Sequence, residues 1–477
     1  MSSPTDTSLK FGTSGLRGLA VDLLDGGAAQ YVAAFCDVLL ERGTVRAGDG
    51  IYLAHDHRES SPVLLQSAAD AIAARGLTPV SCGATPTPAL ALHAMGADAP
   101  AIMITGSHIP ADRNGLKFYR PDGEIDKADE VAIQAAALAV GAASVGVQCD
   151  FGDESALALA GFEARCLRLA SANGLLGMKV GLYAHTSVAV DFITHVLESL
   201  GSQVVVLGAS KHFVPMDTES IPSETEERFR AWASELKLDA IVSTDADADR
   251  PLVVDETGMP MRGDLLGLLA AAHVGARSIV TPVTSNSGIR DCVDWQVVRT
   301  KVGSPYVLSA MADAALPAPI VGFEANGGTL LQNRIDAVGG PVAALPTRDS
   351  MLPILATLLR AKADGIPLSQ LQAAYPMPVA HADRLQNYPT ETAAAFVAHL
   401  SLSLTACDEL LHGLGTAREL DTTDGARITL DDGRIVHFRP SGNAPELRCY
   451  SEAPDQETAH ALVRDGLAVA GDYLKRA

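Results

Sequence analysis

The stretch Ile241-Val242-Ser243-Thr244-Asp245-Ala246-Asp247-Ala248-Asp249-Arg250 joins a short apolar run to three alternating carboxylates and an arginine. The run reads as a buried strand, so the aspartates fall in a loop at its carboxyl end. Three carboxylates alternating within one turn of loop can converge on a hard divalent cation. Mg2+ suits such a set, because it takes a few carboxylates and keeps positions open for phosphate oxygens. Arg250 adds a planar fork for phosphate. The stretch therefore predicts Mg2+-dependent phosphate chemistry at the end of a strand. An EF-hand calcium loop is the rival reading, with Glu256 at its twelfth position. It fails at the sixth, where Arg250 stands instead of the Gly that the sharp turn needs, and a strand rather than a helix leads in. A solvated acidic loop without a ligand is the bland alternative.

Working outward, short apolar strand patterns alternate with longer helical ones, which predicts α/β units with largely parallel sheets. Strands are expected at Ile51-Tyr52-Leu53-Ala54, Ala101-Ile102-Met103-Ile104, Lys179-Val180-Gly181-Leu182-Tyr183, Val204-Val205-Val206-Leu207, Ser278-Ile279-Val280 and Ile320-Val321-Gly322-Phe323. Helices are expected over 62–74, 190–200, 263–272 and 349–361. Three of the strands end in polar loops of small residues: before Thr105-Gly106-Ser107-His108, before the aspartates, and before Glu324-Ala325-Asn326-Gly327-Gly328. Ligands of open α/β sheets bind at the carboxyl ends of strands. The last hundred residues differ, with a hairpin over 427–436 around Asp432-Gly433, a strand at Arg448-Cys449-Tyr450 and a helix over 456–474. The expected domains are 1–150, 151–257, 258–377 and 378–477, the last boundary resting on Pro376-Met377-Pro378.

The chain has 477 residues, 47% of them hydrophobic, a formal net charge of -21 and a pI near 4.9. That balance excludes nucleic acid as the main partner, since phosphate-backbone binding needs a basic face. A small phosphorylated substrate needs only a local positive pocket. The seven cysteines are widely spaced with no Cys-x-x-Cys, which reads as reduced thiols in a cytoplasmic enzyme. No secretory signal is evident at the N-terminus, and the Ala- and Gly-rich stretch over 131–147 reads as a buried or connecting helix, so no membrane partner is expected.

Ser107 is the candidate nucleophile, at a strand end between Gly106 and His108. Lys117, returning from Gly115-Leu116, can hold a phosphoryl group or move a proton; its bland reading is a solvated edge-strand lysine. Arg439-Pro440-Ser441-Gly442-Asn443, with Arg448 beyond it, has the hydroxyl, backbone and guanidinium donors of a phosphate cradle. Glu324 and Asn326 can accept from and donate to vicinal sugar hydroxyls.

Together these loops resemble those of the alpha-D-phosphohexomutase family across essentially the full chain. Phe11-Gly12-Thr13-Ser14-Gly15-Leu16-Arg17-Gly18 resembles its opening motif, and Thr105 to Pro110 with Asn114 to Lys117 its phosphoserine loop. Asp245 to Arg250 resembles its metal loop, Phe323 to Gly328 its sugar loop and Arg439 to Asn443 its phosphate loop. The resemblance implies three similar α/β domains and a smaller α+β fourth around a central cleft, the fourth acting as a lid. It implies that Ser107 carries a phosphoryl group and that Asp245, Asp247, Asp249 and a phosphoserine oxygen hold Mg2+. Phosphoryl exchange with a hexose 1- or 6-phosphate would pass through a bisphosphorylated sugar, with glucose or mannose 1,6-bisphosphate as activator. Arg17, Lys117 and Arg250 would neutralise the transferred charge.

Four departures stand out. Gly106 and Ile109 replace the Ala and Asn of many members, with little chemical effect expected. Ala246 and Ala248 replace glycines, so the metal loop is expected to reach its shape without positive φ there. Asn443 stands where Thr is usual. Gly328 stands where some members place a proton-carrying histidine, which leaves Lys301 and His108 as candidates for that role. Phe-Glu-Ala-Asn-Gly-Gly is closer to the sugar loop of phosphomannomutase and phosphoglucomutase members than to the Glu-x-Ser-Gly-His of glucosamine-phosphate mutases. The rivals are a Mg2+-dependent sugar phosphatase of the haloacid-dehalogenase type, with Asp245 as nucleophile, and a non-catalytic sugar-phosphate binder. The first leaves Ser107 and the phosphate loop unexplained, and the second has no need of three metal carboxylates.

Overall fold

The computed structural model describes residues 8–12, 15–140, 149–441 and 445–476. It forms two compact units, Met1–Ile279 with Gly303–Ala374, and Val280–Val302 with Tyr375–Ala477.

The first sheet of the first unit runs in the order Lys10–Phe11, Leu16–Leu19, Arg113–Arg120, Ala101–Ile104, Gly50–His55, Thr78–Ser81 and Gly152–Asp153. Ala101–Ile104, Gly50–His55 and Thr78–Ser81 are parallel, with Tyr52 opposite both Ala101 and Val80. Arg113–Arg120 and Leu16–Leu19 add antiparallel to this parallel heart. Neither was expected from the sequence, because each mixes charged and small residues with few β-branched ones. Their addition makes Lys117 an interior-strand residue only 4% exposed, rather than a solvated edge lysine. Phe35 and Phe118 meet at 4.9 Å in the core beneath.

The helix Lys127–Val140 buries Ile133 and Ala137 but leaves Val131 66% and Leu138 83% exposed. The stretch expected as a buried or connecting helix is helical as far as Val140 and half-exposed rather than buried; residues 141–148 lie outside the described ones. Among the described residues, the helical stretch Ala20–Glu41 is long and apolar enough to cross a membrane by length and composition, and 67% of its apolar window is buried inside the protein.

The second sheet runs Gln203–Ala209, Lys179–His185, Ala240–Thr244 and Pro251–Val254, parallel except for the last pair. All five residues of Ala240–Thr244 are buried, which is what a continuous apolar run demands. The third sheet includes Ile320–Phe323, Thr329–Leu331 and Leu345–Asp349. The helix expected over 349–361 runs Met351–Asp364 instead. Asp349 ends the strand, and its carboxylate accepts from the Met351 and Leu352 amides at 2.8 and 3.3 Å, the work of a capping residue.

The second unit is built on an antiparallel sheet in the order Val379–Gln386, Glu446–Ala453, Ile435–Pro440, Ala426–Leu430 and Ala417–Asp421. The hairpin turns through Asp431-Asp432-Gly433 between the paired Leu430 and Arg434, a three-residue connection in which Gly433 takes the left-handed φ of +87°. Phe396 and Phe438 pack edge to face at 5.2 Å in its core.

His437 is buried in this unit, its Nε2 donating to the Asp424 carbonyl at 2.6 Å, with Arg427, Arg439 and the Asp424 carboxylate around it. Burial, opposed by that hydrogen bond and aided by the two arginines, lowers its pKa to about 4. The unfolded chain therefore binds a proton below about pH 6.5 that the folded unit refuses until about pH 4. Its contribution is intact above pH 6.5 and is lost as pH falls through that window. Urea unfolding at pH 7 and pH 5 should show about 2 kcal/mol of acid destabilisation from this group, absent in His437→Gln. Equal pH dependence in both proteins would contradict the assignment.

Candidate active site

The Ser107 loop leaves the strand Ala101–Ile104 and is pinned from below. Thr105 Oγ1 donates to Asp56 at 2.7 Å and accepts from the Ser107 amide at 2.8 Å. Arg58, 1% exposed, donates to four carbonyls of the loop and its return: Ser107 (2.9 Å), Ile109 (2.7 Å), Pro110 (2.7 Å) and Arg113 (3.0 Å). Its Nε pairs with Asp56 at 3.1 Å, and its guanidinium lies 4.1 Å from the Phe213 ring centroid. Gly106 is a consequence. A Cβ there would sit 2.6 Å from Arg58 Cζ, and a guanidinium with this many bonds cannot give way. Ser107 itself takes φ +54°, the sparsely populated left-handed region. The loop is over-determined, so it can carry a strained serine.

The metal loop wraps around its first carboxylate, whose Oδ1 accepts from the Asp249 and Arg250 amides at 3.1 and 3.2 Å. Ala248 adopts φ +59°, which corrects the expectation of a loop without positive φ. Ser350 Oγ donates to the Ala248 carbonyl at 2.7 Å and holds that turn. The left-handed form costs an alanine about 1 kcal/mol.

The structure brings Ser107, His108, Lys117, Arg17, Arg250, Glu324, Asn326 and the aspartates into one region of the first unit. Ser107 Oγ donates to Asp245 Oδ2 at 2.5 Å and lies 3.1 Å from His108 Nδ1. Lys117 Nζ bridges Asp247, at 2.5 Å, and Asp249. Arg250 lies 4.0 Å from Asp249, with Asp217 and Glu219 at 3.9 and 3.8 Å. In the sugar loop, Asn326 Oδ1 accepts from the Gly328 amide at 3.0 Å, so this side chain shapes the loop.

Charge is unevenly matched here. Burial, with Asp247 and Asp249, raises the Asp245 carboxyl above its usual range. Asp249 is held low despite burial by Arg348, Lys117 and Arg250. Burial, then Arg250 and Arg348, lowers Arg17 to about 10, against the opposing pull of Asp247 and Asp249. Burial beside Arg250 and Arg17 also keeps His108 neutral.

Asp245, Asp247 and Asp249 offer one oxygen each within 4.8 Å of one another, and all three are fully buried. Asp247 Oδ1 and Asp249 Oδ1 are buried without a hydrogen-bond partner among the described residues. Buried carboxylate oxygens left bare are costly. An all-oxygen set with bare oxygens fits a hard divalent cation such as Mg2+.

In the second unit, Arg439 Nε pairs with Asp424 at 2.8 Å, and the Ser441 amide donates to the Glu446 carbonyl at 2.9 Å. Gly442 and Asn443 lie outside the described residues. Arg448 stands directly opposite both Arg439 and Arg384 on neighbouring strands. Three like charges in one cross-strand row repel, and Glu446, 3.6 Å from Arg384 and 4.0 Å from Arg448, with Asp424 on Arg439, offsets part of that charge. Lys301 is exposed, just after the strand Gln296–Thr300.

The sequence reading missed five residues. Asp56 and Arg58 follow the strand Gly50–His55, and Arg348 is the penultimate residue of the strand Leu345–Asp349. The strand-end rule that found Ser107 points to these segments but not to the individual side chains in them. Thr87, whose Oγ1 donates to Asp247 at 2.5 Å, and Arg384 have no local signal, since only the fold delivers them.

Comparison with known proteins agrees along the whole chain. Residues 8–143, 161–258, 262–377 and 383–467 match phosphoglucomutase/phosphomannomutase alpha/beta/alpha domains I, II and III and the C-terminal domain. A phosphomannomutase of Sinorhizobium fredii is 49% identical over 470 residues, spanning 98% of this chain and 99% of that one. A phosphomannomutase of Salmonella muenchen is 40% identical, spanning 99% and 97%. The crystal structure of a putative phosphomannomutase from Thermus thermophilus has the same fold at 23% identity, with a TM-score of 0.77 and 99% and 100% of the two chains covered. Another with that fold, at a TM-score of 0.56, 14% identity and coverage of 91% and 84%, is an Aspergillus fumigatus N-acetylphosphoglucosamine mutase in complex with GlcNAc-6P and magnesium. This chain belongs to the phosphoglucomutase/phosphomannomutase family.

Proposed function

We propose that this phosphohexomutase is a phosphomannomutase that works through a phosphoserine at Ser107 and a hexose 1,6-bisphosphate intermediate. One observation carries the reading: the Ser107 hydroxyl donates into the same buried carboxylate cluster that Lys117 bridges. A serine there is useful for taking and giving a phosphoryl group, because charge neutralisation is already in place. Mannose phosphates are favoured because the chain is 49% and 40% identical to two phosphomannomutases, against 28% for a phosphoglucosamine mutase of Methylocella silvestris.

Each residue has a part. Asp245, Asp247 and Asp249 hold Mg2+, which neutralises phosphoryl oxygens when bound. Lys117, Arg17 and Arg250 supply the remaining positive charge. The Ser107 hydroxyl donates to Asp245 Oδ2 at 2.5 Å, and neutral His108, 3.1 Å from Ser107 Oγ, orients that hydroxyl rather than taking its proton. Glu324 accepts from the sugar hydroxyls, and Arg439, Ser441 and Arg448 bind a substrate phosphate. Seven free thiols fit the reducing cytoplasm.

The test is a coupled assay with Mg2+ and a trace of glucose 1,6-bisphosphate, comparing mannose, glucose and glucosamine 1-phosphates by kcat/KM. Conversion led by mannose 1-phosphate is expected. Phosphate release without isomerisation would favour the phosphatase instead. Arg439→Ala removes one charge-assisted contact, so KM should rise about 10- to 100-fold with kcat within about 3-fold. A fall in kcat at unchanged KM would contradict a binding role.

A further inference from the structure

Gly328 ends the sugar loop where some family members carry a histidine. Its backbone is not in the left-handed region, so conformation does not call for glycine. Space does. A Cβ at 328 would lie 2.7 Å from Arg348 Cδ and 2.9 Å from Arg348 Cγ. These are mid-chain carbons, and the head of the side chain is fastened. Arg348 Nη2 and Nε reach Asp249 Oδ2 at 2.7 and 3.0 Å, and Nη1 reaches Glu324 Oε2 at 3.2 Å. Arg348 is 2% exposed and cannot swing aside into water.

We infer that Arg348 is the positioning residue that ties Glu324 of the sugar loop to Asp249 of the metal loop, and that Gly328 supplies the room for it. The inference rests on the mutase reading. A guanidinium here fills the space into which a side chain at 328 would project. It keeps its charge at every working pH, whereas an imidazole titrates near neutrality. This corner of the site is therefore fixed charge rather than a proton carrier. Because Glu324 is oriented by Arg348, the arginine also sets how the site meets the sugar hydroxyls. Its loss should alter the preference between sugars that differ only at C2, a change that mere loosening of the fold would not produce.

The experiment compares wild type, Arg348→Lys, Arg348→Met and Gly328→Ala with mannose 1-phosphate and glucose 1-phosphate, alongside thermal melting in Mg2+. Arg348→Met is expected to lower kcat/KM about 10²-fold and to move the mannose-to-glucose ratio at least about 3-fold, the scale of one lost transition-state contact. Arg348→Lys should recover part of the rate. Gly328→Ala keeps the arginine but displaces it. It should lower kcat/KM at least about 10-fold with a melting temperature near wild type, and it decides the matter if Arg348→Met does not fold. Gly328→Ala within about 2-fold of wild type on both sugars would overturn the inference alone. A wild-type chain that converts neither sugar would overturn the mutase reading and this inference with it.

Discussion

Ser107→Ala is expected to lower kcat by at least about 10⁴-fold while leaving KM within a few-fold, the pattern of a lost covalent nucleophile. The hydroxyl lies 2.5 Å from Asp245 and 3.1 Å from His108, is 1% exposed and sits on a backbone at φ +54°. Arg58 holds that backbone through the loop carbonyls, none of which depends on the serine side chain. Alanine tolerates the same φ no worse than serine, so the loop should persist and the substrate should still bind. Two measurements check this. Steady-state kinetics should show the fall in kcat, and incubation with labelled glucose 1,6-bisphosphate should leave the variant unlabelled. Turnover above about 1% of wild type, or label retained in the variant, would remove Ser107 from the mechanism.

Which parts of this site are legible in the sequence depends on how far apart the interacting residues lie. The strand before Asp245 and the loop after it are contiguous, so period and composition suffice to place three carboxylates at a strand end. The antiparallel strands Leu16–Leu19 and Arg113–Arg120 were not among the strands expected from the sequence. They become strands because Ile104 pairs Leu116 and Arg17 pairs Gly115, contacts supplied only by the completed sheet. Lys117 thus looks like a surface lysine until its neighbours are known.

Glycines show the same limit from the other side. Gly106 and Gly328 depart from the family pattern without explanation in one dimension. In three, each faces a buried arginine whose side chain lies within 3 Å of a would-be Cβ. Arg58 and Arg348 were overlooked for a related reason. A single arginine near a strand end carries no pattern, and its importance lies in partners 24 to 99 residues away. Ala248 is a different failure. Its positive φ was not anticipated because propensity argues against it; the carboxylate of Asp245 and the hydroxyl of Ser350 override that propensity.

Asp247→Asn should raise the Mg2+ concentration for half-maximal activity by at least about 10-fold and lower kcat at saturating Mg2+ by about 10²-fold. Asp247 is fully buried, and its Oδ2 already accepts from Thr87 Oγ1 and Lys117 Nζ, both at 2.5 Å. Its Oδ1 has no partner among the described residues, which is the oxygen left for the cation. Asparagine has the same shape but must direct its NH2 somewhere. Facing Lys117 and Thr87, it sets donor against donor; facing the cation, it removes a ligand. Either way one negative charge leaves a cluster that must offset Lys117, Arg250 and Arg348 as well as a divalent ion. Asp247→Glu keeps the charge but lengthens the arm, so it should restore part of the Mg2+ affinity and little of kcat. Titration of activity and calorimetry with Mg2+ alone separate these effects. Unchanged affinity in Asp247→Asn would mean that the bare oxygen faces something other than a metal.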